Sequence, residues 1–376
     1  MRVLDLSAIA IVDHHCHPIR RPDQPVTLRE AFSEAVDPQA IADGAETLLF
    51  RRTLREVAEL YQCEPTEAAI EEARRSLGGD ESLRRCFSEA RLAALFVDEG
   101  IGDGQLLPAE AFLSVAPIRR VLRVESVATA LISEESTWSA FVERLRTAIA
   151  TPGPQVVALK TIVAYRTGLD VGPADDAAAA EVFFHLRQQL LRGRAIRLAH
   201  RPLNDWLVHE AARAARQTGL PLQVHTGFGD PDLDLRRANP LLLRPLLDHP
   251  AYRETRFVLL HAGYPFVREA GWLAWVLPNV LLDLGLAIPL LSVGGMRRTI
   301  DAALELTPLS KLLLSTDGAL APERFFCAAR WGRRALGESL AAAVGDGDLT
   351  AGEAEAAAEA ILAENARRWY GWPPAA

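Results

Sequence analysis

No stretch of this 376-residue sequence is uninterruptedly apolar for the roughly 20 residues that a membrane-spanning helix needs. The first residues, MRVLDLSAIAIVDHH, lack an apolar block followed by a small-residue cleavage site, so no secretory leader is expected. Positive charge is also in deficit: 41 Lys and Arg stand against 49 Asp and Glu, a net charge of −8. That balance excludes a general basic field for nucleic acid or an anionic membrane surface. Cysteine is sparse. Cys16, Cys63, Cys86 and Cys327 are widely spaced with no CxxC, which excludes a disulfide framework or a zinc ribbon. A soluble cytoplasmic protein with free thiols is the expectation. Finally, there is no GxGxxG after the first apolar run, which argues against an open doubly wound dinucleotide-binding sheet.

What is present is a recurring alternation. Short β-branched or Leu-rich runs are each followed by a turn and a longer helical pattern. The runs fall at 9–13, 93–97, 121–127, 156–163, 221–225, 257–261, 280–284 and 312–317. Helical patterns occupy 138–149, 175–193, 204–218, 238–248, 265–276, 294–305 and 322–343. Several of the runs are apolar throughout, as parallel strands buried on both faces require. Eight such units predict an α/β chain forming one (β/α)8 TIM barrel over residues 1–376. Residues 18–92 exceed any ordinary connection and carry helical patterns at 28–36, 45–60, 65–77 and 81–92. They predict a helical insertion over the barrel mouth after strand 1, since long loops gather on the C-terminal face. A C-terminal amphipathic helix is expected from about Thr350 to residue 370.

The chemistry-bearing residues sit at the ends of these strands. IVDHHCHP places His15 and His17 after strand 1, PLQVHTGFGD places His225 after strand 5, FVLLHAGYP places His261 after strand 6 and LLLSTDG places Asp317 after strand 8. On extended backbone, residues i and i+2 face the same side, so His15 and His17 can share one ion while His14 and Cys16 point elsewhere. A lone His-x-His could equally be a polar patch, a single strand-end His a hydrogen-bonded structural residue, and Asp317 before Gly a turn. The conjunction of all five at strand ends, which a barrel gathers on one face, is what predicts a metal centre. Imidazole and carboxylate donors suit zinc, with manganese or iron as alternatives. His14 is expected to be structural or to support a ligand. His185, His200, His209 and His249 lie in or beside helical segments and are expected at the surface.

This pattern resembles the amidohydrolase superfamily of metal-dependent hydrolases. Within it, VDHHCHP, ALKTIVAYRTGLDV, PLQVHTGFGDPDLDLRRANPLLL and KLLLSTDG are similar to the branch that includes the amidohydrolase domain of glutamine-synthetase-like proteins. That branch is linked to γ-glutamyl amides. The resemblance implies that His15, His17 and Asp317 bind the more buried ion. It implies that His225 and His261 bind a second ion or support a single one. Lys160, on strand 4, is implied either as a carbamylated bridge between two ions or as an unmodified partner of a substrate carboxylate. One or two divalent ions per chain therefore remain open.

The expected reaction is hydrolysis of a small-molecule C–N amide bond by metal-activated water. Asp317 is the expected general base, and His261 or His225 an oxyanion donor. For the substrate, Arg123 and Glu125 are expected on strand 3 with matching parity, as a carboxylate clamp and an ammonium acceptor, or else as a structural ion pair. Arg166, in the loop after strand 4, and Asp230, after His225, are expected to face substrate. The alternatives are a metal-dependent decarboxylase or lyase of an aromatic or unsaturated acid, and a binding protein that has kept the barrel. No nucleic-acid or membrane partner is expected; a homodimer is compatible with such barrels.

Overall fold

The structure is a computed structural model that describes residues 4–100 and 104–372. Its strands are Ile11–Cys16 (β1), Leu92–Asp98 (β2), Ile118–Arg123 (β3), Val156–Thr161 (β4), Leu222–Val224 (β5), Phe257–Leu259 (β6), Val280–Asp283 (β7) and Leu312–Leu313 (β8). They form one eight-stranded sheet in the order β1 to β8, with helices between successive strands. This is the (β/α)8 TIM barrel architecture. The chain divides into two compact units. One comprises Met1–Arg119, Gly229–Pro231 and Asp283–Ala376, and the other Arg120–Phe228 and Asp232–Leu282.

In the first unit, β1 and β2 pair in parallel, with Val12 opposite Ala94 and Asp13 opposite Leu95. β1 is buried along its whole length. It runs through Cys16, so His15 lies on the strand rather than after it. The segment beyond β8 is laced to β1 by backbone bonds: Asp317 N donates to His15 O (3.1 Å) and His17 N to Gly318 O (2.7 Å). A parallel bridge between Ile19 and Leu320 extends the pairing. The two ends of His15-Cys16-His17 are thus bound to the segment that carries Asp317.

The insertion is helical as expected: Leu28–Ala31, Pro38–Asp43, Leu48–Tyr61, Glu67–Leu77 and Gly79–Ala90. Thr27, Asp37, Thr47 and Thr66 each cap a helix by accepting a first-turn amide, a contribution of about 1 kcal/mol apiece. The insertion packs on the helix Pro322–Asp346. Phe87 meets Phe325 at 4.9 Å between ring centroids, and Phe112 joins them at 5.5 Å. Each such buried ring contributes roughly 1.5–3 kcal/mol. The fully buried Glu323 accepts from Tyr61 Oη (2.7 Å) and pairs with Arg74 Nε (2.9 Å), which ties two insertion helices to the first turn of that helix. The C-terminal helix, Ala351–Glu359 continuing through a π turn to Asn365–Tyr370, begins on a capping box at Thr350.

In the second unit β4, β5, β6 and β7 run in a continuous register, with Lys160 opposite Gln223, Gln223 opposite Val258 and Val258 opposite Leu281. Arg123 ends β3 opposite Lys160. Arg123, Lys160 and Gln223 therefore form one buried polar layer.

The third strand departs from expectation. It ends at Arg123, and Val124–Glu134 is a helix. Val124, Ala128, Leu131 and Ile132 are its buried apolar residues, a spacing of four, seven and eight that suits a helix stripe. Glu125 is consequently a first-turn helix residue and does not share a strand face with Arg123.

Candidate metal centre

In the first unit, Asp317 stands between the two histidines of the His-x-His pair. Its Oδ1 lies 3.3 Å from His15 Nε2 and 3.5 Å from His17 Nε2. The imidazole rings of His15 and His17 are edge-to-face at 4.9 Å. His17 Nδ1 donates to the Asp98 carbonyl at 2.9 Å. A carbonyl can only accept, so Nδ1 carries a proton, and in the neutral ring Nε2 keeps the lone pair that a metal ion takes. Separations of 3.3–3.5 Å are long for a short imidazole–carboxylate hydrogen bond. They match the edge of about 3.4 Å of a tetrahedron whose arms are about 2.1 Å, the usual zinc–ligand distance. The donor set, two imidazoles and a carboxylate, is also the chemistry such an ion selects. The residues therefore fit a divalent ion.

Asp98, at the end of β2, was not foreseen. It is fully buried, and with His15 and His17 it offers donor atoms that lie within 4.8 Å of one another. Its signal was present in ALFVDEG, an apolar strand ending in Asp as LLLSTDG does.

Beneath these residues lies a buried polar layer. His14 Nε2 is 3.0 Å from Asp283 Oδ1, and its Nδ1 is 3.0 Å from Tyr370 Oη. Asp283 also accepts from Ser315 N (3.0 Å). Asp13 accepts from the Thr316 amide (2.9 Å) and from its hydroxyl. Burial pushes the Asp13 carboxyl up to about 7. His14 is thus a structural residue, as its off-face position in the strand implied. Its partners hold the backbone of β1 against the Ser315-Thr316-Asp317 segment.

In the second unit His225 and His261 follow β5 and β6, with ring centroids 4.5 Å apart. His225 Nε2 donates to Phe228 O at 3.2 Å, which puts the lone pair on Nδ1. The Tyr165 ring packs on His225 at 4.5 Å. The two loops are pressed together at Gly227: its φ is +72°, a Cβ there would lie 2.4 Å from Tyr264 O, and Phe228 N donates to Tyr264 O (2.8 Å). Only glycine fits both demands.

His261 (φ +68°) and Asp317 (φ +46°) both occupy left-handed backbone. For residues with a Cβ this stores roughly 1–3 kcal/mol and concentrates at functional sites.

The residues expected to bind substrate fare differently. Glu125 is buried, and its Oε1 accepts from Thr161 Oγ1 (2.5 Å) and Ile162 N (2.9 Å). Its carboxylate fastens the end of β4, so the ammonium role expected for it is not carried forward. Burial raises its pKa, against those hydrogen bonds and the nearby Arg123. Arg166 is half-buried and donates to Tyr165 O at 3.4 Å. Burial and then the neighbouring Arg197 lower its pKa. Lys160 is 2% exposed, an interior residue of β4. Asp230 is partly exposed in the first unit.

Comparison with known proteins agrees with this architecture. The amidohydrolase family pattern matches residues 12–372. Protein fluG of Emericella nidulans is 32% identical over 397 residues, covering 96% of this chain and 45% of that protein; the chain spans just under half the length of this relative. A structure from Lactobacillus casei ATCC 334, designated a metal-dependent hydrolase, superimposes with a TM-score of 0.88 at 27% identity, covering 98% of both chains. A uronate isomerase from Bacillus halodurans C-125 shares the fold, with a TM-score of 0.65 at 13% identity over 98% of this chain and 94% of its own. No helix among the described residues is long and apolar enough to cross a membrane. With strand-end imidazoles and carboxylate on a (β/α)8 sheet and a family match along almost its whole length, this chain belongs to the amidohydrolase family.

Proposed function

We propose that this chain is a metal-dependent hydrolase that cleaves the C–N amide bond of a small molecule, with γ-glutamyl or other amino-acid amides as the substrate class. The observation that carries this reading is Asp317 Oδ1 facing Nε2 of both His15 and His17. His15, His17 and Asp317 hold the ion, and Lys160, His225 and His261 hold or bridge a second one. Reading both sets as ligands is supported by the position of each residue at or just after the C-terminal end of its strand, where barrel enzymes work. A divalent ion, zinc in this reading with manganese or iron as alternatives, would acidify water and polarise the scissile carbonyl.

The carboxylate of Asp317 takes the proton from the attacking water and passes it to the leaving nitrogen. His261, where it is outside the ligand set, donates to the carbonyl oxygen as charge develops. A carbamate on Lys160 would place an anion opposite Arg123 in the sheet register. Arg166 clamps a substrate carboxylate: among the described residues it makes no ion pair, and a guanidinium fork matches a carboxylate. Arg123 and Asp230 complete the headgroup contacts.

Metal content per chain, read with the intact mass at Lys160, tests the centre. A panel of γ-glutamyl amides, N-acyl amino acids and aromatic acids tests the reaction. Ammonia or amine release is the expected result. Carbon dioxide release from an aromatic acid would replace this reading by a decarboxylase, and absence of bound metal would remove the centre altogether.

A further inference from the structure

Arg324 is 3% exposed and lies in the first turn of the helix Pro322–Asp346. Its guanidinium faces three groups. Nη1 donates to the carbonyl of Ala31 (3.2 Å), Nη2 donates to Glu34 Oε1 (3.0 Å), and Nη2 stands 3.5 Å from Asp317 Oδ2. Ala31 and Glu34 belong to the insertion, at and just after the helix Leu28–Ala31. The other oxygen of Asp317 is the one turned to His15 and His17. One carboxylate is thus held between two imidazoles and a guanidinium, and that guanidinium is itself held by the insertion.

We propose that Arg324 is a positioning residue for Asp317, and that Glu34 acts through Arg324, so that the helical insertion sets the orientation of the metal-facing carboxylate. The proposal rests on His15, His17 and Asp317 being metal ligands. A carboxylate rotates freely about its last bond unless both oxygens are engaged. Here Oδ2 faces the Arg324 guanidinium, which leaves Oδ1 as the donor on the histidine side. The planar fork of Arg324 lets one side chain address Ala31, Glu34 and Asp317 together; a lysine at this position would present a point charge with no such geometry. Glu34 is itself drawn in from solvent. Burial raises its pKa and the Arg324 charge opposes that rise.

The test uses the full-length chain, stripped of metal, with zinc ion as the probe. Zinc affinity is measured by competition against a chelating dye, and thermal unfolding of the metal-free protein is measured in parallel. Arg324→Met is expected to weaken zinc binding about 10–100-fold, the usual effect of losing a partner that orients a ligand. Arg324→Lys is expected to fall between wild type and Arg324→Met. Glu34→Ala is expected to weaken zinc binding in the wild-type background and to add nothing in the Arg324→Met background, because its effect passes through Arg324. Tyr61→Phe removes a contact to the neighbouring Glu323 and should leave zinc affinity unchanged. Wild-type zinc affinity in Arg324→Met, with a lowered unfolding temperature, would make Arg324 an anchor of the insertion only and overturn the proposal. Should Arg324→Met not fold, unchanged zinc affinity in both Arg324→Lys and Glu34→Ala would overturn it equally. Absence of zinc binding by the wild type would instead refute the underlying metal centre.

Discussion

Nε2 of His14 lies 3.0 Å from Oδ1 of Asp283, and neither side chain reaches solvent. Asp283 also accepts the amide of Ser315, so one carboxylate joins β1, β7 and the segment leading to Asp317. Replacing Asp283 by Ala leaves a buried imidazole and a buried amide without their acceptor. A loss of about 3–5 kcal/mol in unfolding free energy is expected, measured by urea denaturation. A loss below about 1 kcal/mol would show that the pair contributes little.

Asp317→Asn keeps the shape of the side chain and removes its ability to take a proton. Turnover on any substrate found is expected to fall by about 10²–10⁴-fold, with metal still bound by elemental analysis. Turnover retained within a few-fold would end the general-base role.

Gly227→Ala adds a methyl group 2.4 Å from Tyr264 O at a φ of +72°. The loops that carry His225 and His261 must then separate. A stability loss of roughly 1–3 kcal/mol is expected, together with a larger fractional loss of turnover. Unchanged melting temperature and unchanged kcat would mean that the loops accommodate the methyl group.

His209 is bonded through Nδ1 to Tyr252 Oη (2.7 Å) and through Nε2 to Gly172 O (3.0 Å). Burial, opposed by the Gly172 contact, lowers its pKa from the ordinary 6.5. The folded chain thus refuses a proton that the unfolded chain accepts. Its contribution to stability is present above pH 6.5 and is lost as the pH falls below it. Asp205, whose carboxyl burial raises, acts in the opposite sense, so the comparison is between wild type and His209→Gln. The variant is expected to lose less stability between about pH 7 and 5. Parallel curves would exclude His209 as the cause.

Much of the site was legible because its signals are local. A run such as FVLLH or LLLSTD carries both its burial and its terminal polar residue in a few adjacent positions, and His15 and His17 declare a shared face through a two-residue period. Glu125 was misplaced for a related reason. VESVATALI begins with β-branched residues, but its apolar spacing beyond Val124 is helical, and the longer pattern prevailed.

The sequence by itself determined the barrel, the length and helical nature of the insertion, and the residue types at the strand ends, since each depends on periodicity within one segment. Only the tertiary structure decided which partners those residues meet. Asp98 sets the tautomer of His17, Asp283 and Tyr370 hold His14, Glu125 fastens β4, and Arg324 with Glu34 faces Asp317. Apart from the Arg324–Asp317 contact, each pairing joins segments separated by tens or hundreds of residues, so its geometry exists only once the strands are in register and the insertion is packed.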